Sequence, residues 1–204
     1  MRPKYRGVSH RIAFHISLVT GAVLVAHSAH RGSTLVYAIL ISAMFGVSAT
    51  LHRADWSPRM YTWLRRADHA TIFIAIAGTY TPFSLLGLQG DAGNHLLALA
   101  YIVCGCGVIR ALAWPHAPRP ITASCFLAAG WVVIAYIPSF HRAVDPTTFA
   151  LIVAGGVTFT VGALIYTTKF PDPWPQTFGY HEVFHALTIV GVGFHYAAIW
   201  RLAT

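Results

Sequence analysis

Seven long apolar runs alternate with short polar segments along the chain. They cover roughly Ile12–Ala29, Leu35–Leu51, Ala70–Leu88, His95–Trp114, Ile121–Phe140, Thr147–Thr167 and Val183–Leu202. Each is about 17 to 21 residues, enough for one helix across a hydrocarbon core of about 30 Å. The segments between them are short and hold most of the Pro, Asp and Arg. The pattern predicts an all-α membrane protein, a seven-transmembrane helix bundle forming a single integral-membrane domain over residues 1–204. The longest interruption, 55–68, separates the second and third runs.

Composition agrees with this pattern. Of 204 residues, 56% are hydrophobic and only 10% charged, where a soluble domain carries about a quarter charged residues. Mean hydropathy is +0.59. The first run is preceded by basic residues, as in a signal peptide, but it is long for a signal core and six more runs follow. It is therefore read as a retained span. Cys104, Cys106 and Cys125 lie within runs and are expected to pack as small apolar residues, without a disulfide framework. Gly105, Gly107, Gly155, Gly156, Gly162, Gly191 and Gly193 are expected to permit close helix packing.

Charge sets the expected orientation. With the N-terminus in the cytoplasm, Arg2, Lys4, Arg6, Arg11, Arg53, Arg59, Arg65, Arg66, Arg110, Arg119 and Lys169 are inside, against Arg31, Arg142 and Arg201 outside. Eleven against three is the bias of a cytoplasmic N-terminus and an outside C-terminus. The net charge of +8 then reflects topology and anionic lipid, not nucleic acid, because the basic residues are scattered over separate loops.

Ionisable groups at membrane depth are costly and mark candidate sites. Asp55, Asp91, Asp145 and Asp172 fall in loops, as solvated groups or helix caps. Asp68 and Glu182 lie near run ends. Of the twelve histidines, His10, His27, His30, His95, His116 and His141 are expected at interfaces, and His15 and His195 as packing or cavity residues. His69, beside Asp68, is a candidate neighbour of the site. His52, His181 and His185 remain.

His181 and His185 belong to HEVFH, which reads as the H-E-x-x-H zinc signature. Spaced four apart, they share one helix face, as two ligands of one ion require. Ser48 and His52 repeat that spacing. The protease reading fails at its third ligand. No acidic residue follows Glu182, and offsets +7 and +10 from His181 hold Thr188 and Gly191. The alternating topology places His52, Asp68, His181 and His185 at one membrane level, so His52 is the natural third ligand. Three imidazoles and an open position are the pattern of a catalytic zinc site.

S-A-T-L-H (48–52), R-A-D-H-A-T-I-F-I-A-I-A-G-T-Y-T-P-F (66–83) and H-E-V-F-H-A-L-T-I-V-G-V-G-F-H-Y (181–196) together resemble the hemolysin III proteins. These form the bacterial branch of the progestin and adipoQ receptor (PAQR) superfamily. The resemblance implies Zn2+ on His52, His181 and His185, Asp68 bonding the water at the metal, and Ser48 beside the site. It implies a multi-pass protein of the bacterial plasma membrane. Several eukaryotic members carry an acidic residue three before the serine, where this chain has Phe45. The long N-terminal domain of the receptor members is missing, so a ligand-receptor role is not expected.

The expected function is zinc-dependent hydrolysis of an amide- or ester-linked acyl lipid, by analogy with the family's distant relationship to ceramidases. Asp68 is the expected base, ahead of Glu182, and Ser48 is expected to donate to the oxyanion or hold the water. Two other classes are carried as alternatives. One is a zinc-stabilised membrane sensor without turnover, whose metal Asp68 would close. The other is a hemolysin-like pore, for which the chain offers no ring of charges.

Overall fold

The computed structural model describes residues 3–53, 55–88 and 90–204. Among them are helices α1 (Val8–His27), α2 (Arg31–Arg53), α3 (Pro58–Gly87), α4 (Asp91–Ala113), α5 (Arg119–Gly130), α6 (Ile137–Ala143), α7 (Pro146–Thr168) and α8 (Tyr180–Ala203). A 3-10 stretch, Trp131–Tyr136, joins α5 to α6, and the three together make one span, Arg119–Ala143. Seven helical spans are thus long and apolar enough to cross a membrane. Helices adjacent in sequence lie side by side, and α1 meets α8 to close the ring. α3 also packs on α5 and α8, which makes it the central element. Large apolar side chains such as Val19, Ile102, Ile109 and Leu164 face outward, as a lipid-solvated surface requires.

Local sequence explains where the helices begin. Pro58, Pro120 and Pro146 occupy first-turn positions, where the missing N–H has no helical partner to lose. Ser57 accepts from the Met60 N–H. Asp145 accepts from Thr147 and Thr148 N–H groups at 3.0 and 3.2 Å, and from Arg201 at 2.9 Å, tying the start of α7 to the end of α8. The Thr148 hydroxyl, more than any other neighbour, holds the Asp145 carboxyl down at about 2. The group's folded pKa is depressed, so this clasp is present at neutral pH and is lost only as pH falls through about 2.

Two boundaries differ from expectation. α3 starts at Pro58, twelve residues before the apolar run at Ala70. Residues 58–68 are therefore helix, and Asp68 projects from a continuous helix instead of a loop end. The fifth span is not one helix, because the chain tightens over Trp131–Tyr136 before Pro138 in the first turn of α6. The glycine expectation holds in part. Gly107 and Gly191 lie against Phe73 and Phe159, but Gly105, Gly156 and Gly193 face open space.

The break in the fifth span is repaired from α3. The Tyr80 hydroxyl donates to the Gly130 carbonyl at 2.6 Å and accepts from the Val133 N–H at 3.1 Å. In lipid these backbone groups have no water to fall back on. Tyr80→Phe is expected to cost about 1–3 kcal/mol by removing both hydrogen bonds. Thermal unfolding in detergent measures it. An unchanged midpoint would show that water already serves these groups.

Candidate metal centre

The ends of α2 and α7, the starts of α5 and α8, the first turns of α3 and the chain start all lie at one end of the bundle. α8 begins under the control of two carboxylates. Asp172 accepts from the Tyr180 N–H at 2.8 Å, and Glu182 reaches back to accept from the Gly179 N–H at 2.9 Å. Both anions suit the positive end of the helix dipole. Glu182 is fully buried, and its other oxygen lies 2.6 Å from Arg6 Nε. The glutamate of HEVFH is thus committed to capping α8 and holding the N-terminal segment. That segment is also pinned by Lys4 and Tyr5 N–H groups donating to Gln176 and Thr177 carbonyls at 3.0 and 3.1 Å.

His181 and His185 extend from the first two turns of α8 toward His52 in the last turn of α2. His181 Nε2 and His52 Nε2 are 3.2 Å apart. One nitrogen from each of His52, His181 and His185 lies within 4.8 Å of the others. Gly7 seats His52. Its φ of +75° suits glycine, and a Cβ there would meet the His52 Cβ at 2.7 Å.

This cluster fits a metal ion. Zn–N bonds of 2.0–2.1 Å at the tetrahedral angle place two ligand nitrogens about 3.3 Å apart, close to the 3.2 Å between His52 and His181. His185 is buried, and its Nδ1 has no hydrogen-bond partner. A buried polar atom left without a partner is costly, and a cation at the cluster would offset that cost. Imidazole is a donor suited to zinc, with copper, iron and nickel as chemical relatives.

Ser48 lies one turn before His52 and is buried. It shares a cavity wall with Asp68. Asp68 is half-buried, faces the same cavity and stands outside the three-histidine cluster. His69 is buried against Phe126, with ring centres 6.2 Å apart. The structure therefore gathers His52, His181, His185, Ser48 and Asp68 at one end of the bundle.

His10 departs from expectation. It is not an interfacial group but is buried, its ring stacked on His185 at 3.7 Å and within 4° of parallel. It thus holds the plane of one candidate ligand. The same topology that places His52 and His181 at one level also places the start of the first span there, and that was the available signal. His15, by contrast, is exposed on α1. His195 is half-buried and lies 3.2 Å from the Ile152 carbonyl. Gly155 makes room for it, since a Cβ there would clash with the ring.

From the cluster a cavity of about 400 Å³ runs into the bundle. His52, Asp68 and His181 line one part of it, and Phe83, Phe140, Ile152 and His195 another. Asp68 to Phe83 and His181 to His195 are 15 and 14 residues along their helices, about 21 Å of depth at 1.5 Å per residue.

The chain is similar to known proteins over most of its length. It is 26% identical over 191 residues to Hemolysin-3 of Bacillus cereus, covering 90% of this chain and 84% of that one. It is 25% identical to the Hemolysin-3 homolog of Bacillus subtilis (strain 168), covering 90% and 86%. It is 27% identical over 200 residues to heptahelical transmembrane protein ADIPOR2 of Oryza sativa subsp. japonica, covering 86% of each. A family model described as Haemolysin-III related matches residues 1–196. This multi-pass membrane protein, with its seven apolar helices and its histidine cluster between the second and the last, belongs to the hemolysin III family of the PAQR superfamily.

Proposed function

We propose that the protein is a zinc-dependent hydrolase of the bacterial plasma membrane that cleaves an amide- or ester-linked acyl lipid, with the histidine end facing the cytoplasm. The observation that carries this reading is one cavity holding both a three-histidine cluster and a long apolar recess. A packing site needs no such recess.

A zinc ion bound by His52, His181 and His185 supplies Lewis acidity, which makes a nearby water a nucleophile at neutral pH and polarises a carbonyl. The protein's own groups do the rest. Asp68 accepts the proton of the attacking water and returns it to the leaving amine or alcohol. Ser48, which lines the same cavity, holds the water or donates to the developing oxyanion. The apolar recess excludes bulk water and takes the acyl chain. Glu182 is occupied by Gly179 and Arg6, which leaves Asp68 as the base.

Asp68→Asn is expected to keep the metal and to lower lipid hydrolysis on the order of 10²–10⁴-fold. Metal content and turnover of a mixed amide- and ester-lipid panel are measured on the same preparations. Loss of zinc together with activity would make Asp68 a fourth ligand, and the closed site of a sensor would replace the enzyme.

A further inference from the structure

The cavity is chemically lopsided. Arg6, Arg65 and Arg119 line it together with the histidines, while phenylalanine and isoleucine line its depth. The bias of basic residues toward this end explains their number but not their direction. Lys4, Arg11, Arg53, Arg59 and Lys169 belong to the same end and are exposed. Arg6, Arg65 and Arg119 are only half-exposed and face the cavity.

These three cations are not equivalent. Arg6 is neutralised by Glu182 at 2.6 Å. Among the described residues, neither Arg65 nor Arg119 has a carboxylate oxygen within ion-pair distance. Asp68 stands three residues along the same helix, outside ion-pair distance of Arg65. Arg119 packs over two rings, 5.6 Å from the centre of Tyr180 and 6.0 Å from that of Tyr166. Such cation–π packing holds the guanidinium in place without cancelling its charge. Two partly desolvated cations beside a cluster that attracts a third are costly without an anion.

The order of groups along the cavity matches the order of groups in a lipid. Arg65 lies one turn before Asp68 on α3, toward the helix start, and Arg119 is the first residue of α5. The acyl carbonyl sits at the histidines, the chain runs inward, and whatever is attached beyond the carbonyl meets the arginines. We propose that the site selects acyl lipids whose head group carries a phosphate, bound between Arg65 of α3 and Arg119 of α5. A single carboxylate satisfies one guanidinium fork, whereas a tetrahedral phosphate presents oxygens to two forks on separate helices. The placement of the carbonyl rests on the hydrolase reading, but the head-group preference is a binding property and is tested without turnover.

The test compares three single-chain lipids of equal chain length on zinc-loaded Asp68→Asn protein in neutral detergent. These are palmitoyl lysophosphatidic acid, monopalmitoylglycerol and palmitic acid, with affinity read by titration under native mass spectrometry. The phosphate lipid is expected to bind about tenfold more tightly than the other two. Adding Arg65→Gln and Arg119→Gln is expected to abolish that preference while leaving the affinity for monopalmitoylglycerol and the metal content unchanged. Equal binding of phosphate and neutral lipids overturns the proposal. So does a preference that survives in the arginine variant, which places the phosphate on the metal. Palmitate binding as tightly as the phosphate lipid assigns the arginines to a carboxylate instead. Should the arginine variant misfold, Arg65→Lys with Arg119→Lys keeps the charges and removes the forks, and is expected to lose most of the preference. Failure of the hydrolase reading would look different, as wild type turning over no lipid while the ranking of affinities stands.

Discussion

His52→Ala is expected to strip bound metal from the protein. Wild type purified in detergent is expected to carry about one zinc per chain, and the variant close to none. The magnitude follows from ligand number. Structural zinc sites with four ligands bind with about 10–16 kcal/mol, so one ligand is worth roughly 3 kcal/mol, on the order of 100-fold in affinity. His52 is the informative choice because it stands on α2, while His181 and His185 stand on α8. They could share an ion through local helix geometry alone. Only the loss of metal on mutating His52 demonstrates that the ion joins the second and last spans. Zinc retained in the variant would mean that the α8 pair recruits another group, and the centre described above would be wrong. Metal absent from both proteins would leave the three histidines as packing residues.

Glu182→Ala is expected to damage the fold and spare the metal. The substitution leaves Arg6 without its 2.6 Å partner and the Gly179 N–H without its acceptor. Breaking a buried pair costs about 3–5 kcal/mol, and Arg6 keeps some contact with solvent, so about 2–3 kcal/mol is expected. For a chain of this size that lowers the unfolding midpoint by about 4–12 °C. Zinc content of the folded fraction should match wild type. Thermal unfolding with metal analysis on one preparation reads both. Had Glu182 been the base of a metalloprotease-like reaction, the opposite pattern would appear. Glu182→Gln would then keep full stability and lose turnover, and the assignment of Asp68 would fall.

The spans were readable because a run of apolar residues long enough to cross lipid leaves few alternatives to helix. What that signal misses is helix outside lipid. Residues 58–68 carry Arg59, Arg65, Arg66 and Asp68, so hydropathy stops at Ala70 while the backbone helix does not. The stronger clue was local, a Ser57 cap followed by Pro58 at the first turn. The 3-10 stretch in the fifth span was hidden for the converse reason. Trp131–Tyr136 is apolar throughout, and apolarity reports length, not hydrogen-bond pattern. Gly130 and Pro138 flank it as the available punctuation. The histidine set was legible because i, i+4 spacing and alternating topology are both geometric. The burial of His10 was not, since it depends on how α1 leans on α8. The role of Glu182 depended on Arg6, a contact spanning nearly the whole chain that no local pattern contains.

The Tyr80 hydroxyl has a consequence for how the chain assembles. An unbroken helix can complete its hydrogen bonding alone once it enters lipid. In the fifth, the Gly130 carbonyl and the Val133 N–H are also bonded by a side chain of α3. Insertion and docking are therefore coupled for this span, where elsewhere they are separable steps. α3 precedes it in synthesis, so the partner is already in place when the fifth span arrives. A chain lacking α3, or one with α3 displaced, would leave the fifth span lodged at the membrane surface or straightened into an ordinary helix. The cavity, walled in part by Gly130, Trp131 and Val133, would then have no finished side.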